Sequence, residues 1–538
     1  MIKYLADNLW KDTYYFNSSL RHFVTQDFTL DYFLNTINYN DRHTGLNNDY
    51  GNLTAGISPA FNYKNFDFTG AISGVTDKRM AKKDNGLNLR FSMENNNLSI
   101  NDYKIDIASN LENEKLGNRR NYHFVNKLTF WKRFISKSSD SLSVSWNENR
   151  YDYYISPNLD IESRKTLFRK VHNTLNYFIS EKTSVNLQSF VSLGRTEIKY
   201  PFKSSRGEKT RDDFVINNVF RLNHVNNGKY FDVVFGFDNT EHNYKLSGDG
   251  QNKIAGLIPF DTPSSKSKTV FLSTDFRGNF FRKDSVNMSF YVEKHSYDTP
   301  SKINNDDRDE LRINMQISHF YKIRPDLLIG GYLNIHLNHL VFLFKERSIE
   351  NNWNRIFIFG TRVGYINPRF ILRNSCEVIS NYTDYDYEEY LPAIRSFVFR
   401  KFSNLTDFVY NLSKKSSLNM FLKLEKEENG MLDWSKFKQN VIFSKINWNF
   451  RTNYSYQISE NFTIFSGIEF LSRKYVSGID IRSGSFESKN LDDFGVSFGF
   501  LFKSDKLTSR FNLLNRRIVR GGGKSLFQTA EISMNYSI

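Results

Sequence analysis

The chain has 538 residues, a formal net charge of +15 and 39% hydrophobic residues, with aromatics at 16% of the total. So low an apolar fraction beside so many aromatics does not suit a string of ordinary soluble domains, and no run of 18 or more apolar residues is present to make a transmembrane helix. A single cysteine, Cys376, excludes a disulfide framework and a cysteine-based zinc site, and reads as a small hydrophobe.

Composition stays even along the chain, rich in Asn, Ser, Phe and Tyr, with only 9 Pro and no low-complexity spacer to mark a linker, so one continuous architecture is expected. A mean hydropathy of -0.54 remains compatible with a membrane protein whose wall is one residue thick, apolar outside and polar within. The positive charge raises nucleic acid as a partner. It is discounted because Lys and Arg fall mostly in polar stretches such as 78–83, 119–120, 203–209 and 516–524, with no compact basic helix and no nucleic-acid module. Solvated loop charge comes first, contact with anionic lipid headgroups or anionic cargo second.

The N-terminus has Lys3 but no apolar core of 7–15 residues behind it, so no signal peptide is visible. Residues 1–13 read as a loop or the remnant of an upstream strand, and the first strand as 14–24. Apolar residues then recur at every second position. Leu87, Leu89, Phe91 and Met93 interleave with Asn88, Arg90, Ser92 and Glu94, and Val286, Met288, Phe290 and Val292 with Asn287, Ser289, Tyr291 and Glu293. Leu311, Ile313, Met315 and Ile317 follow the same rule, as do Ile446, Trp448 and Phe450. Period two belongs to strands with two unlike faces.

Connections separate a barrel from a sandwich. Short polar turns at 180–183, 281–285, 413–416, 459–461 and 504–506 alternate with long polar stretches at 196–212, 241–268, 381–395 and 426–440. A membrane barrel sorts its connections this way, with short turns at the periplasmic rim and long loops outside, whereas a Greek-key sandwich has no reason to. The expected fold is therefore all-β: residues 14–538 as a single large closed antiparallel transmembrane β-barrel of about 22 to 26 strands. Hairpin parity asks for a further strand upstream of the first. With the missing signal peptide, this gives the expectation of a processed chain, a fragment or a mis-called start.

Candidate chemistry is sparse. Asp306, Asp307, Asp309 and Glu310, behind Asn304 and Asn305, offer oxygen ligands for calcium, without EF-hand order; the competing reading is an exposed solvated loop. His336 and His339 are three apart, on opposite faces of a strand, and cannot share a metal. Asp384, Asp386, Glu388 and Glu389 alternate with Tyr382, Tyr385, Tyr387 and Tyr390. Tyrosine beside carboxylate suits a sugar or cation, with Asp384, Tyr385, Asp386 and Tyr387 as the ligand-binding candidates, but an interfacial aromatic girdle accounts for the tyrosines without any ligand and is the favoured reading. The glycines of 520–525 fail phosphate-loop spacing, since Ile518 stands where a glycine is needed. No nucleophile and base can be paired, so neither an enzyme nor a cofactor is expected.

The last segment places Leu526, Gln528, Ala530, Ile532, Met534, Tyr536 and Ile538 on one face. It resembles the C-terminal strand of bacterial outer-membrane proteins, which implies that the barrel-insertion machinery reads Ile532, Met534, Tyr536 and Ile538; the departure is Ile538, where that pattern most often has Phe. The Asn-, Phe- and Tyr-rich style of the whole chain resembles large barrels of the Bacteroidota type, among them the barrel part of TonB-dependent receptors. That resemblance implies an outer-membrane location, contact with outer-membrane lipid, a plug domain and a periplasmic energy-coupling partner, although no plug or coupling box is visible in this sequence. The resulting expectation is the membrane-spanning part of a transporter or receptor for a polar solute. An export or assembly translocon similar to lipopolysaccharide-export barrels, or a structural envelope barrel with partner-binding loops, is the alternative.

Overall fold

A computed structural model describes residues 10–43, 46–79, 82–134, 137–155, 160–201, 208–247, 264–300, 306–390, 396–433, 438–477, 490–504, 506–520 and 523–536. Contacts divide the chain into two compact units, one of Met1–Leu222, Val234–Val270 and Ser296–Asn304, the other of Asn223–Val233, Phe271–His295 and Asn305–Ile538.

The first unit contains β1 (Trp10–Phe23), β2 (Phe28–His43), β3 (Leu46–Tyr63), β4 (Phe66–Arg79), β5 (Lys82–Ile100), β6 (Tyr103–Leu116), β7 (Arg119–Arg133), β8 (Ser139–Tyr154), β9 (Ile161–Ser180) and β10 (Thr183–Lys199). Residues of both units make up β11 (Glu208–Asn226), β12 (Lys229–Ser247), β13 (Ser265–Gly278) and β14 (Asp284–Asp298). The second unit contains β15 (Arg308–Arg324), β16 (Leu327–Phe342), β17 (Asn352–Ile366), β18 (Phe370–Tyr385), β19 (Phe397–Asn411) and β20 (Ser416–Asp433). It ends with β21 (Lys438–Ser459), β22 (Phe462–Ser477), β23 (Leu491–Lys503), β24 (Leu507–Arg520) and β25 (Gly523–Tyr536).

All these strands belong to one 25-stranded sheet. Within β1–β10, and again within β15–β25, each strand pairs antiparallel with the next. The all-β antiparallel architecture and the strand number match the expectation, except that β1 begins at Trp10, upstream of Tyr14.

Turn chemistry explains the hairpins. The two-residue turns 101–102 and 227–228 have positive φ at both positions, 47° and 67° at Asn101 and Asp102, 49° and 75° at Asn227 and Gly228. This is the primed turn whose twist matches that of paired strands, and Asn, Asp and Gly are the residues that tolerate it. Every connection from an odd-numbered strand to the next is short. Those from even-numbered strands are uneven: 248–264 and 478–490 are long, but 44–45, 80–81, 117–118 and 521–522 hold two residues each. Between β4 and β7 the strands themselves carry the chain outward, as Lys83 and Asn85 continue the ladder past the apolar residues of β5.

Each unit has two unlike faces. In the first, Ile57, Ile72 and Leu89 stand opposite one another across β3, β4 and β5, and Phe91 faces Leu111 on β6; all five are exposed, Ile72 by 56%. On the reverse face Ser73 opposes Asn88 and Asp77 opposes Asp84, and all four are buried. In the second unit Leu333, Phe359, Val378 and Phe402 form one row across β16–β19, with Phe359 55% exposed, while Tyr332, Gly360 and Glu377 form a row on the reverse. Exposed apolar side chains on one face and buried polar ones on the other are the inverse of a water-soluble domain.

Candidate functional site

The polar face of the second unit is a ladder of charge of both signs. On β19–β21, Lys401 Nζ lies 2.8 Å from Glu425 and 3.6 Å from Glu427, Lys423 3.0 Å from Glu425, and Lys445 2.8 Å from Glu427. Farther on, Arg516 of β24 meets Glu469 of β22 at 3.4 Å and Asp493 of β23 at 3.2 Å. On the same face the side-chain oxygens of Asn334, Asn338, Asn381, Asn447 and Asn512 are buried without a protein hydrogen bond. Cross-strand pairing puts these residues on one face because period-two strands in register present every second residue together. Chemically, the surface can accept hydrogen bonds from hydroxyls or amines and screen either sign of charge.

In the first unit the polar face closes around Arg119, whose guanidinium is fully buried 2.5 Å from Asp77 and 2.8 Å from Asp84. The Tyr154 hydroxyl donates to Asp84 at 2.9 Å, and the Arg119 guanidinium lies 4.9 Å from the centre of the Tyr154 ring. Sequence reading passed over this cluster. Its members come from β4, β5, β7 and β8, and the only trace in the sequence is that each is a charged or aromatic residue near a strand end.

The acidic run at 306–310 lies against cations. Arg308 meets Asp306 at 2.9 Å and Glu310 at 3.1 Å, Arg312 bonds Glu310, Arg347 bonds Asp306, and Lys294 meets Asp309 at 3.3 Å. Asn304 and Asn305 lie outside the described residues. Among the described residues no group of three or more His, Cys, Asp or Glu is arranged to hold a metal ion. Carboxylates already neutralised by guanidinium groups give calcium little of the negative oxygen cage it needs.

The second candidate set is divided by the strand. Asp384 stands opposite Trp353, and Tyr385 opposite Asn352, so the two side chains point to different faces of the sheet. Asp384 bonds Arg355 at 3.0 Å, Asp386 bonds His339 at 2.9 Å, and Tyr387 is an exposed residue of the turn that follows. His339, on the same row as Trp353, stacks on its indole with ring centres 4.2 Å apart. His336 faces the other way, hydrogen-bonded at Nδ1 to Asn314 at 2.8 Å, so the two histidines are separated as their spacing requires. His339, Trp353, Arg355, Asp384 and Asp386 thus gather on the same face as Phe359, an arrangement that suits an interface more than a solute site.

On β25, Ile532 opposes Phe511 and Met534 opposes Ser509, and both Ile532 and Met534 are exposed. Tyr536 ends the strand, and Ile538 lies outside the described residues. Lys524 and Ser525 belong to β25, so no helix begins there to receive a phosphate.

No family model matches the chain, and no curated protein does. Among solved structures it is similar to the ferric citrate transporter FecA in its unliganded form, at 9% identity over 89% of this chain and 82% of that one, with a TM-score of 0.37. It is also similar to the FrpB iron transporter from Neisseria meningitidis (F3-3 variant), at 7% identity over 95% and 82% of the two chains and a TM-score of 0.40. A third is the alcaligin outer-membrane receptor FauA from Bordetella pertussis, at 9% identity over 94% and 81%, TM-score 0.35. At these identities and scores the likeness carries no inference about ligand or mechanism.

Proposed function

We propose that the sheet closes into a barrel in a bacterial outer membrane and forms the membrane-spanning part of a transporter or receptor for a polar solute, in the manner of TonB-dependent receptors. The observation that carries this reading is the inversion of the two faces: rows such as Leu333, Phe359, Val378 and Phe402 are turned outward, and charged ladders such as Lys401, Glu425, Glu427 and Lys445 are enclosed. In a bilayer, unlike in water, an apolar exterior costs nothing and every backbone group is satisfied by a closed ladder. The short turns after odd-numbered strands then mark the periplasmic rim and the even-numbered connections the outer one.

The barrel then comprises residues 14–538, extended upstream to the start of β1 at Trp10. It expects the insertion machinery to read Ile532, Met534, Tyr536 and Ile538, and a plug and an energy-coupling partner to gate the lumen. Catalysis is not proposed. Refolding the full chain into lipid vesicles and measuring entry of uncharged sugars of graded size tests it. Protease-protected insertion with size-limited sugar uptake is the expected result; a chain that stays in the aqueous phase without detergent, or inserts and admits no polar solute, overturns the reading.

A further inference from the structure

On the exposed apolar face of the first unit, the even-numbered connections are bordered by cations set against cations. Lys78 on β4 stands directly opposite Lys83 on β5, and Lys115 on β6 directly opposite Arg120 on β7. Like charges in opposed cross-strand positions destabilise a sheet, so two such pairs in succession call for an anion. Among the described residues no carboxylate reaches these side chains, the nearest being Asp152, which accepts from the Arg120 backbone N–H at 2.9 Å. All four side chains are exposed, and none has an ion pair with a carboxylate among the described residues. The Arg120 guanidinium donates instead to the neutral side chain of Asn113 at 3.1 Å and lies over the Tyr122 ring. Neighbouring Arg150 and Lys165, also opposed, differ: Asp152 neutralises the first at 3.0 Å and Glu148 the second at 2.7 Å.

The missing anion can be identified from what lies beside the cations. Lys115 is the cross-strand neighbour of Leu87, which is 60% exposed, and Leu89, Phe91 and Leu111 continue the same face away from the rim. The two cation pairs are offset by four residues of register, roughly 13 Å along the strands. A dissolved anion would find cations on this face but no use for the adjoining hydrocarbon surface. An amphipathic molecule with an anionic head and acyl chains matches both.

We propose that Lys78 with Lys83, and Lys115 with Arg120, form a site on the outer wall for the phosphate groups of membrane lipids, one at each cation pair, whose acyl chains lie along Leu87, Leu89, Phe91 and Leu111. The site rests on the membrane reading above. It explains why part of the net positive charge is placed on the apolar face, where water alone would be a poor neighbour.

The test is native mass spectrometry of the full chain released from mixed vesicles of phosphatidylglycerol and phosphatidylcholine with identical acyl chains. The wild-type chain is expected to retain the anionic lipid over the zwitterionic one by about tenfold or more, with the preference falling in high salt. The variant carrying Lys78→Gln, Lys83→Gln, Lys115→Gln and Arg120→Gln loses that preference. A control with Lys104→Gln, Lys127→Gln, Arg164→Gln and Lys170→Gln, which removes the same charge from the opposite face, keeps it. Equal retention of both lipids by the wild type, an equal loss in variant and control, or displacement of the lipid by inositol hexakisphosphate at matched phosphate concentration overturns the proposal. Failure to enter either kind of vesicle is a different result, and removes the membrane reading itself.

Discussion

The Tyr332 hydroxyl reaches from β16 across β17 to donate a 2.5 Å hydrogen bond to Glu377 on β18, and it passes directly over Gly360. A Cβ at Gly360 would stand 2.2 Å from the Tyr332 ring, so the absence of a side chain is what lets three strands share one polar contact. Gly360→Ala is therefore expected to push the ring aside and cost about 1–3 kcal/mol through overpacking and a stranded carboxylate. Tyr332→Phe removes only the hydroxyl and should cost less. Urea titration of the chain folded in vesicles, followed by tryptophan fluorescence, compares the two; a Gly360→Ala variant as stable as the parent removes this account of the glycine.

Neighbouring residues on β17 test which face meets lipid. Phe359 is in the outward row with Leu333 and Val378, whereas Ile358 stands on the reverse, opposite Asn334 and Ile379. Arginine on a lipid-facing wall at mid-height costs about 2–4 kcal/mol, while a lumen position tolerates it far better. Phe359→Arg should therefore destabilise the vesicle-inserted chain by that amount, and Ile358→Arg by much less. The reverse ranking would mean that the faces have been assigned the wrong way round.

The reason such a test can be posed from sequence at all is that period two is local. Leu87, Leu89 and Phe91 disclose their shared face without knowledge of any partner strand. Register is not local, and the candidate sites show the consequence. Asp384 and Tyr385 are adjacent in the sequence, and adjacency on a strand is what sends them to opposite faces. The acidic run at 306–310 carries its own neutralising Arg308, visible in the sequence, but Arg347 and Lys294 arrive from other elements. The stack of His339 on Trp353 and its bond to Asp386 join residues that only pairing of β16, β17 and β18 could bring together. A polar stretch such as 426–440 can likewise be the continuation of two strands as readily as a loop, since β20 runs to Asp433 and β21 starts at Lys438.

Lys401, Lys423 and Lys445 share two carboxylates, Glu425 and Glu427, on the polar face. Replacing both acids by Gln leaves three ammonium groups without their partners on the wall of the proposed lumen. Lumen charge governs which ions pass. In planar bilayers under a potassium chloride gradient, Glu425→Gln with Glu427→Gln is expected to move the reversal potential toward anion selectivity, relative to the parent chain. An unchanged reversal potential in a conducting variant would remove this network from the ion path.

Arg119 offers the sharpest distinction between a buried charge that stabilises and one that is merely compensated. Its guanidinium is shut away with Asp77 at 2.5 Å and Asp84 at 2.8 Å, so desolvation and attraction are both large and nearly cancel. Arg119→Met leaves Asp84 buried with no ion pair among the described residues and Asp77 with Arg79 alone, 3.1 Å away, and should cost about 3–5 kcal/mol in the same urea titration. Adding Asp77→Asn and Asp84→Asn removes the stranded charges along with the cation. That triple variant is expected to regain most of the loss, because the cost lies in the uncompensated acids and not in a missing attraction. If the triple variant is instead as unstable as Arg119→Met, the cluster contributes through the directed hydrogen bonds of the guanidinium, and Arg119→Lys, which keeps the charge but loses the planar fork, should fail as well.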